Sequence, residues 1–123
     1  MGSTGARPPS ETLDKLLGVW VYADNKNDTH YFYKAIHFVE SKPGVQFKDS
    51  GKIIMRQNIS WCGTPPITYK NYGGMWKYKS SGILKLRHSY WGGTAREAWE
   101  VIYLNYDTLV VKKTQYRSRK SWW

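Results

Sequence analysis

The sequence predicts an all-β protein: an up-and-down antiparallel β-barrel of eight to nine strands behind one short N-terminal helix. Composition is the first observation. Aromatic residues make up 16% of the 123-residue chain, with seven Trp, ten Tyr and three Phe; Ala and Leu are sparse while Val, Ile, Thr, Tyr and Trp are plentiful, which favours strands. Periodicity is the second. From Val19 onward apolar residues recur every second position, and polar turns of three to six residues interrupt them, leaving no room for crossover helices. Antiparallel connectivity follows, and closing the sheet on itself removes its two exposed edges. The third is Gly18-Val19-Trp20 at the head of the first apolar run. A glycine lets the chain enter a barrel tightly. A tryptophan is large and flat enough to seal the open end between strands, and truncating such a buried Trp costs about 3–5 kcal/mol.

Each element can be justified in order. Residues 1–10 carry Gly, Ser, Thr and two prolines and read as a flexible leader, of the kind added at a cloned start. Ser10, Glu11 and Asp14 with Leu13, Leu16 and Leu17 predict one or two capped helical turns lying across a barrel end. Strand one covers about 18–24 and ends in the polar stretch 23–28. Strand two, about 30–40, is apolar on both faces, with Tyr31, Tyr33, His37 and Val39 on one and Phe32, Ile36 and Phe38 on the other. Ser41-Lys42-Pro43-Gly44 turns into strand three, about 45–49, and Asp49-Ser50-Gly51 turns again.

Strand four, about 52–61, alternates clearly: Ile53, Met55, Gln57, Ile59 and Trp61 share a face. Pro65-Pro66 ends it, since proline lacks the ladder N–H. A short strand at 67–70 and a turn at Asn71-Tyr72-Gly73-Gly74 precede a meander. In it, strand 75–79 sets Trp76 and Tyr78 against Lys77 and Lys79. Strand 83–91 sets Leu84, Leu86, His88 and Tyr90 against Lys85, Arg87 and Ser89. Strand 96–104 carries Trp99, Val101 and Tyr103 opposite Glu100, and its second apolar face at Ile102 and Leu104 predicts a bulge or a second buried side. Strand 108–116 closes the barrel with Leu109, Val110 and Val111. No internal repeat is visible, so the chain divides into leader 1–10, one barrel domain 11–116 and a basic tail 117–123 ending in Trp122-Trp123.

Several function classes lose support at this level. Cys62 is the single cysteine, so no intrachain disulfide is possible. No apolar run approaches the roughly 20 residues of a membrane helix, and residues 1–10 lack the apolar core of a signal peptide. The compartment is therefore extracytoplasmic, periplasmic or lipoprotein-anchored, if an export signal has been removed, and cytoplasmic otherwise. His30, His37 and His88 are not spaced as metal ligands within one strand. The nine acids are scattered, several of them in turns, and no nucleophile or phosphate-loop motif is present. No enzymatic activity, cofactor or metal is expected. The net charge of +10 draws nucleic acid, anionic lipid or acidic ligands. Half of it comes from Lys112, Lys113, Arg117, Arg119 and Lys120, in a stretch, 108–123, without an acid.

The aromatic set is the better guide. Trp61, Trp76, Tyr78, Tyr90, Trp99 and Tyr103, with His88, fall on alternating positions of neighbouring strands. Such a lining binds a flat or aliphatic molecule by burial, with tyrosine hydroxyls fixing its orientation. The plainer reading is that these side chains simply fill a small barrel.

Four stretches carry a family resemblance: Gly18-Val19-Trp20, Trp61-Cys62-Gly63-Thr64-Pro65-Pro66, Gly74-Met75-Trp76 and Tyr90-Trp91-Gly92-Gly93-Thr94. With Trp99-Glu100-Val101-Ile102 and Leu109-Val110-Val111, they make residues 13–116 resemble the lipocalin-like (calycin) domains, in particular small bacterial lipocalin-like proteins of the Bacteroidetes type. That resemblance implies a barrel holding a small apolar ligand. It also implies a basic side chain from the last strand packed over Trp20, with Lys112, Lys113 and Arg117 as candidates and Arg117 preferred for the stacking of guanidinium on indole. The chain is shorter than a typical lipocalin and lacks a disulfide, which leaves room for a smaller or filled cavity. The leading expectation is thus a non-enzymatic protein binding a small apolar or amphipathic ligand inside the barrel. The alternatives are single-stranded nucleic-acid binding on a basic, aromatic face, or a filled barrel serving as an interaction domain.

Overall fold

The computed structural model describes residues 10–59, 68–79, 81–90 and 92–114. A single helix, α1 (Ser10–Leu16), precedes eight strands: β1 (Gly18–Lys26), β2 (Thr29–Ala35), β3 (Gly44–Phe47), β4 (Lys52–Asn58), β5 (Tyr69–Lys79), β6 (Ile83–Tyr90), β7 (Gly93–Leu104) and β8 (Thr108–Thr114). They close into an all-antiparallel up-and-down barrel with the order β1-β2-β8-β7-β6-β5-β4-β3. From β3 to β8 the sheet follows chain order. At the start, β1 lies between β2 and β3, and β2 closes the barrel against β8.

That order explains a departure from the expected strand two. The run 30–40 is not one strand: β2 stops at Ala35, and residues 36–43 cross over β1 to begin β3. Pro43 accepts a hydrogen bond from the Tyr22 N–H at 3.0 Å, and Arg56 of β4 donates to the Glu40 carbonyl at 2.7 Å, holding the crossing segment down. Val19 and Val21 point away from Trp20 along β1 and are nevertheless buried, as expected of a strand covered on its outer side. Apolar residues on both faces of 30–40 are the trace of this double duty.

A second departure concerns Gly73-Gly74. Instead of turning, both residues lie inside β5, which runs unbroken from Tyr69 to Lys79. A Cβ at Gly74 would stand 2.2 Å from the Arg87 carbonyl oxygen and 2.7 Å from His88 Cα. Glycine here permits a close approach of two strands rather than a reversal.

The barrel core contains Trp20, Phe47, Ile53, Trp76, Leu84, Leu86, Leu109 and Val111. Leu16 of α1 is buried among them, with Leu13 and Leu17 packed alongside, so the helix closes the end where β1 begins. Gly18 enters β1 at φ +119°, a conformation side-chain-bearing residues rarely adopt. Trp20 is fully buried and donates its indole N–H to the Leu16 carbonyl at 2.8 Å. The ammonium over its ring comes from Lys34 of β2, 4.6 Å from the centroid, and it also donates to the carbonyls of Leu17 and Lys15 at 2.9 and 3.2 Å. Arg117 lies outside the described residues; Lys112 is exposed, and Lys113 sits over a different tryptophan. No described helix is long and apolar enough to cross a membrane.

Candidate functional site

The end of the barrel away from α1 holds a cavity of about 570 Å³. It is walled by Phe32, Met55 and Trp99, by the polar side chains of Gln57, His88, Glu97 and Lys113, and by Tyr90 and Arg56 among others. Strand alternation delivers most of them. Phe32 lies on the inner face of β2, Met55 and Gln57 on β4, His88 and Tyr90 on β6, Glu97 and Trp99 on β7, and Lys113 on β8. Gly74, opposite His88 on β5, leaves the space that His88 occupies.

His88 and Glu97 organise the polar wall. His88 is almost wholly buried. Its Nε2 lies 2.6 Å from Glu97 Oε2 and its Nδ1 lies 3.0 Å from the Ser89 carbonyl oxygen. An acceptor faces each ring nitrogen, an arrangement that favours the doubly protonated ring. The Gln57 amide reaches the same Nδ1 at 3.1 Å. Burial works against a charged ring, but the hydrogen bonds to Glu97 and Ser89 outweigh it and raise the His88 pKa above its ordinary value.

Burial likewise works against the Glu97 carboxylate. The His88 hydrogen bond, the Lys113 charge and the Trp99 N–H together overcome it and hold Glu97 down to about 2. Trp99 donates to Glu97 Oε1 at 2.8 Å, so each carboxylate oxygen has its own donor. The Trp99 ring stacks on Phe32 with centroids 5.6 Å apart. Its other contact is Lys113, whose Nζ sits 4.8 Å from the indole centroid. Burial lowers the Lys113 pKa, with Glu97 pulling the other way.

The expected site residues divide into four groups. His88, Tyr90 and Trp99 line the cavity. Trp76 and Tyr78 face inward but belong to the packed half of the barrel; Trp76 meets Phe47 edge-on and donates to the Lys48 carbonyl at 2.9 Å. Tyr103 does not share the inner face with Trp99 and Val101. The register shifts between Val101 and Tyr103, and this bulge turns Tyr103 outward, 52% exposed, while Leu104 returns to the core. Trp61 lies outside the described residues.

Glu97, Lys113 and Gln57 carry the chemistry of the cavity, yet the sequence does not single them out as cavity residues; Lys113 is a candidate there only for the place over Trp20. Simple alternation points to all three: Glu97 stands two residues before Trp99, Lys113 two after Val111, and Gln57 two after Met55. Among the described residues, no group of three or more His, Cys, Asp or Glu is placed to hold a metal ion. No protein-family model, curated protein or solved structure matches the chain.

Proposed function

We propose that this protein is a non-enzymatic, lipocalin-like binder that holds a small amphipathic molecule in the open half of its barrel. The observation that carries the reading is the division of the interior. One half is sealed by α1, Trp20 and Lys34 and filled by buried core side chains, while the other retains a cavity of about 570 Å³ with apolar and polar walls. A concave, largely preformed space with a few convergent polar groups suits small-molecule binding. Binding is favoured over catalysis because both nitrogens of the His88 ring are already engaged, one by Glu97 and the other by the Ser89 carbonyl.

Non-denaturing mass spectrometry of the purified protein tests this directly. The expected result is a bound small molecule that leaves on denaturation, or stoichiometric uptake of an added apolar probe. A clean unliganded mass together with no uptake of any probe overturns the proposal.

A second reading has its own support on the outer surface. Lys85 stands directly opposite Lys77, and Arg96 directly opposite Arg87, on the faces of β5, β6 and β7 that point away from the interior. Four basic side chains along one flank give a positive field that draws the phosphates of a polyanion. Trp76 and Trp99 face the other way, so contact would be with phosphates rather than stacked bases. Oligonucleotide binding that falls steeply with salt would favour this reading. Its absence at low salt would remove it.

A further inference from the structure

Two lysines point into this barrel, and each sits over a tryptophan. Lys34 at the sealed end has its ammonium 4.6 Å from the Trp20 ring and donates to two backbone carbonyls as well. Lys113 at the open end has the matching ring contact at 4.8 Å. Among the described residues, however, its ammonium makes neither a hydrogen bond nor an ion pair. The nearby carboxylate is already engaged: Glu97 Oε2 accepts from His88 and Oε1 from Trp99. With both Glu97 oxygens taken by His88 and Trp99, the Lys113 ammonium presents its charge to the cavity that it lines. The guanidinium of Arg56, at the rim, is directed to Asn71 and the Glu40 carbonyl. It adds to the positive sign of the cavity mouth.

We infer that the cavity takes an organic anion, with its carboxylate or equivalent charge on the Lys113 ammonium and its apolar body against Phe32, Met55 and Trp99. The assignment rests on the proposal that the barrel binds a small molecule, and it adds the charge class of that molecule and the residue that reads it. The comparison with Lys34 decides the point. In the same fold, an inward ammonium over an indole is completed by further acceptors. At Lys113 the space for those acceptors is the cavity itself, and an anion supplies them through a charge-assisted hydrogen bond.

The test uses three probes with an eight-carbon chain and different head groups: octanoate, octanol and octyltrimethylammonium. Binding to the 123-residue chain is followed by calorimetry and by the Trp99 indole N–H resonance. Octanoate should bind at least about tenfold more tightly than octanol, and the cationic probe should not bind measurably. Lys113→Met should bring octanoate to within about twofold of octanol, while Lys113→Arg and the outward-facing Lys112→Met retain the preference. A thermal melt of each variant confirms that it is folded. Equal binding of octanoate and octanol to the unaltered protein, or an undiminished preference in folded Lys113→Met, overturns the anion assignment and leaves small-molecule binding standing. If none of the three probes enters and nothing is released from the purified protein on denaturation, both readings fall.

Discussion

Replacing Glu97 by Gln probes the arrangement at its most consequential point. The carboxylate accepts from His88 Nε2 at 2.6 Å and from Trp99 Nε1 at 2.8 Å. A glutamine has one acceptor oxygen, so one of these donors would face an NH2 group. Leaving a buried donor unsatisfied costs about 1–3 kcal/mol. Removing one partner of a buried ion pair costs about 3–5 kcal/mol. The Glu97 side chain is 29% exposed towards the cavity, which screens that second effect. The expected loss in Glu97→Gln is therefore about 2–3 kcal/mol where His88 is charged.

The pH dependence follows from the directions of the two shifts. Glu97, held to about 2 against an ordinary 4.5, contributes stability that is present above pH 4.5 and lost as the pH falls towards 2. His88, raised above 6.5, contributes stability that is present below pH 6.5 and lost as the pH rises through its folded-state value. The pair is fully stabilising between those limits. Urea unfolding at pH 5.5 should show the whole difference between the variant and the parent, and at pH 9 only the hydrogen-bond part, about 1 kcal/mol. The His88 ring resonances should titrate above 6.5 in the parent and below it in Glu97→Gln. The same stability difference at both pH values, or an unmoved His88 titration, would refute the assignment of an imidazolium–carboxylate pair.

Three further outcomes are expected. Gly74→Ala should destabilise at the top of the overpacking range, about 3 kcal/mol, and shift the His88 resonances, because its Cβ would stand 2.2 Å from the Arg87 carbonyl oxygen; a melt within a degree of the parent would show that β5 and β6 are not so closely apposed. Lys34→Met removes the cation over Trp20 and two hydrogen bonds to carbonyls at the sealed end, and should lower the urea-derived stability by about 2 kcal/mol. Gly18→Ala places a side chain at φ +119° and should cost about 1–3 kcal/mol in the same assay without altering probe uptake at the far end of the barrel.

The all-β class, the antiparallel connectivity, the helical turns at 10–16 and the head tryptophan were legible in the chain, because each is a local signal. Period-two alternation needs only neighbouring residues to be read, and Gly18-Val19-Trp20 announces a tight entry followed by a plug. Alternation also placed His88, Tyr90 and Trp99 on the face that lines the cavity. It failed at Tyr103, where a bulge between Val101 and Tyr103 shifts the phase of β7 by one residue. The apolar pair Ile102 and Leu104 hinted at that bulge without locating it.

Other features were decided by pairing across the barrel. Gly73-Gly74 has the composition of a turn, and only the proximity of Arg87 and His88 makes it the interior of a strand. The segment 36–40 has the composition of a strand, and only the placing of β1 between β2 and β3 makes it part of a crossing. The same holds for the chemistry. His88, Glu97 and Lys113 are scattered over 26 positions of sequence, each unremarkable alone. Their charge state depends on distances of a few ångströms between three strands, and that is a property of closure: sequence by itself determined the face of side chains in regular strands, and the tertiary structure decided where a bulge breaks that phase and which side chains meet.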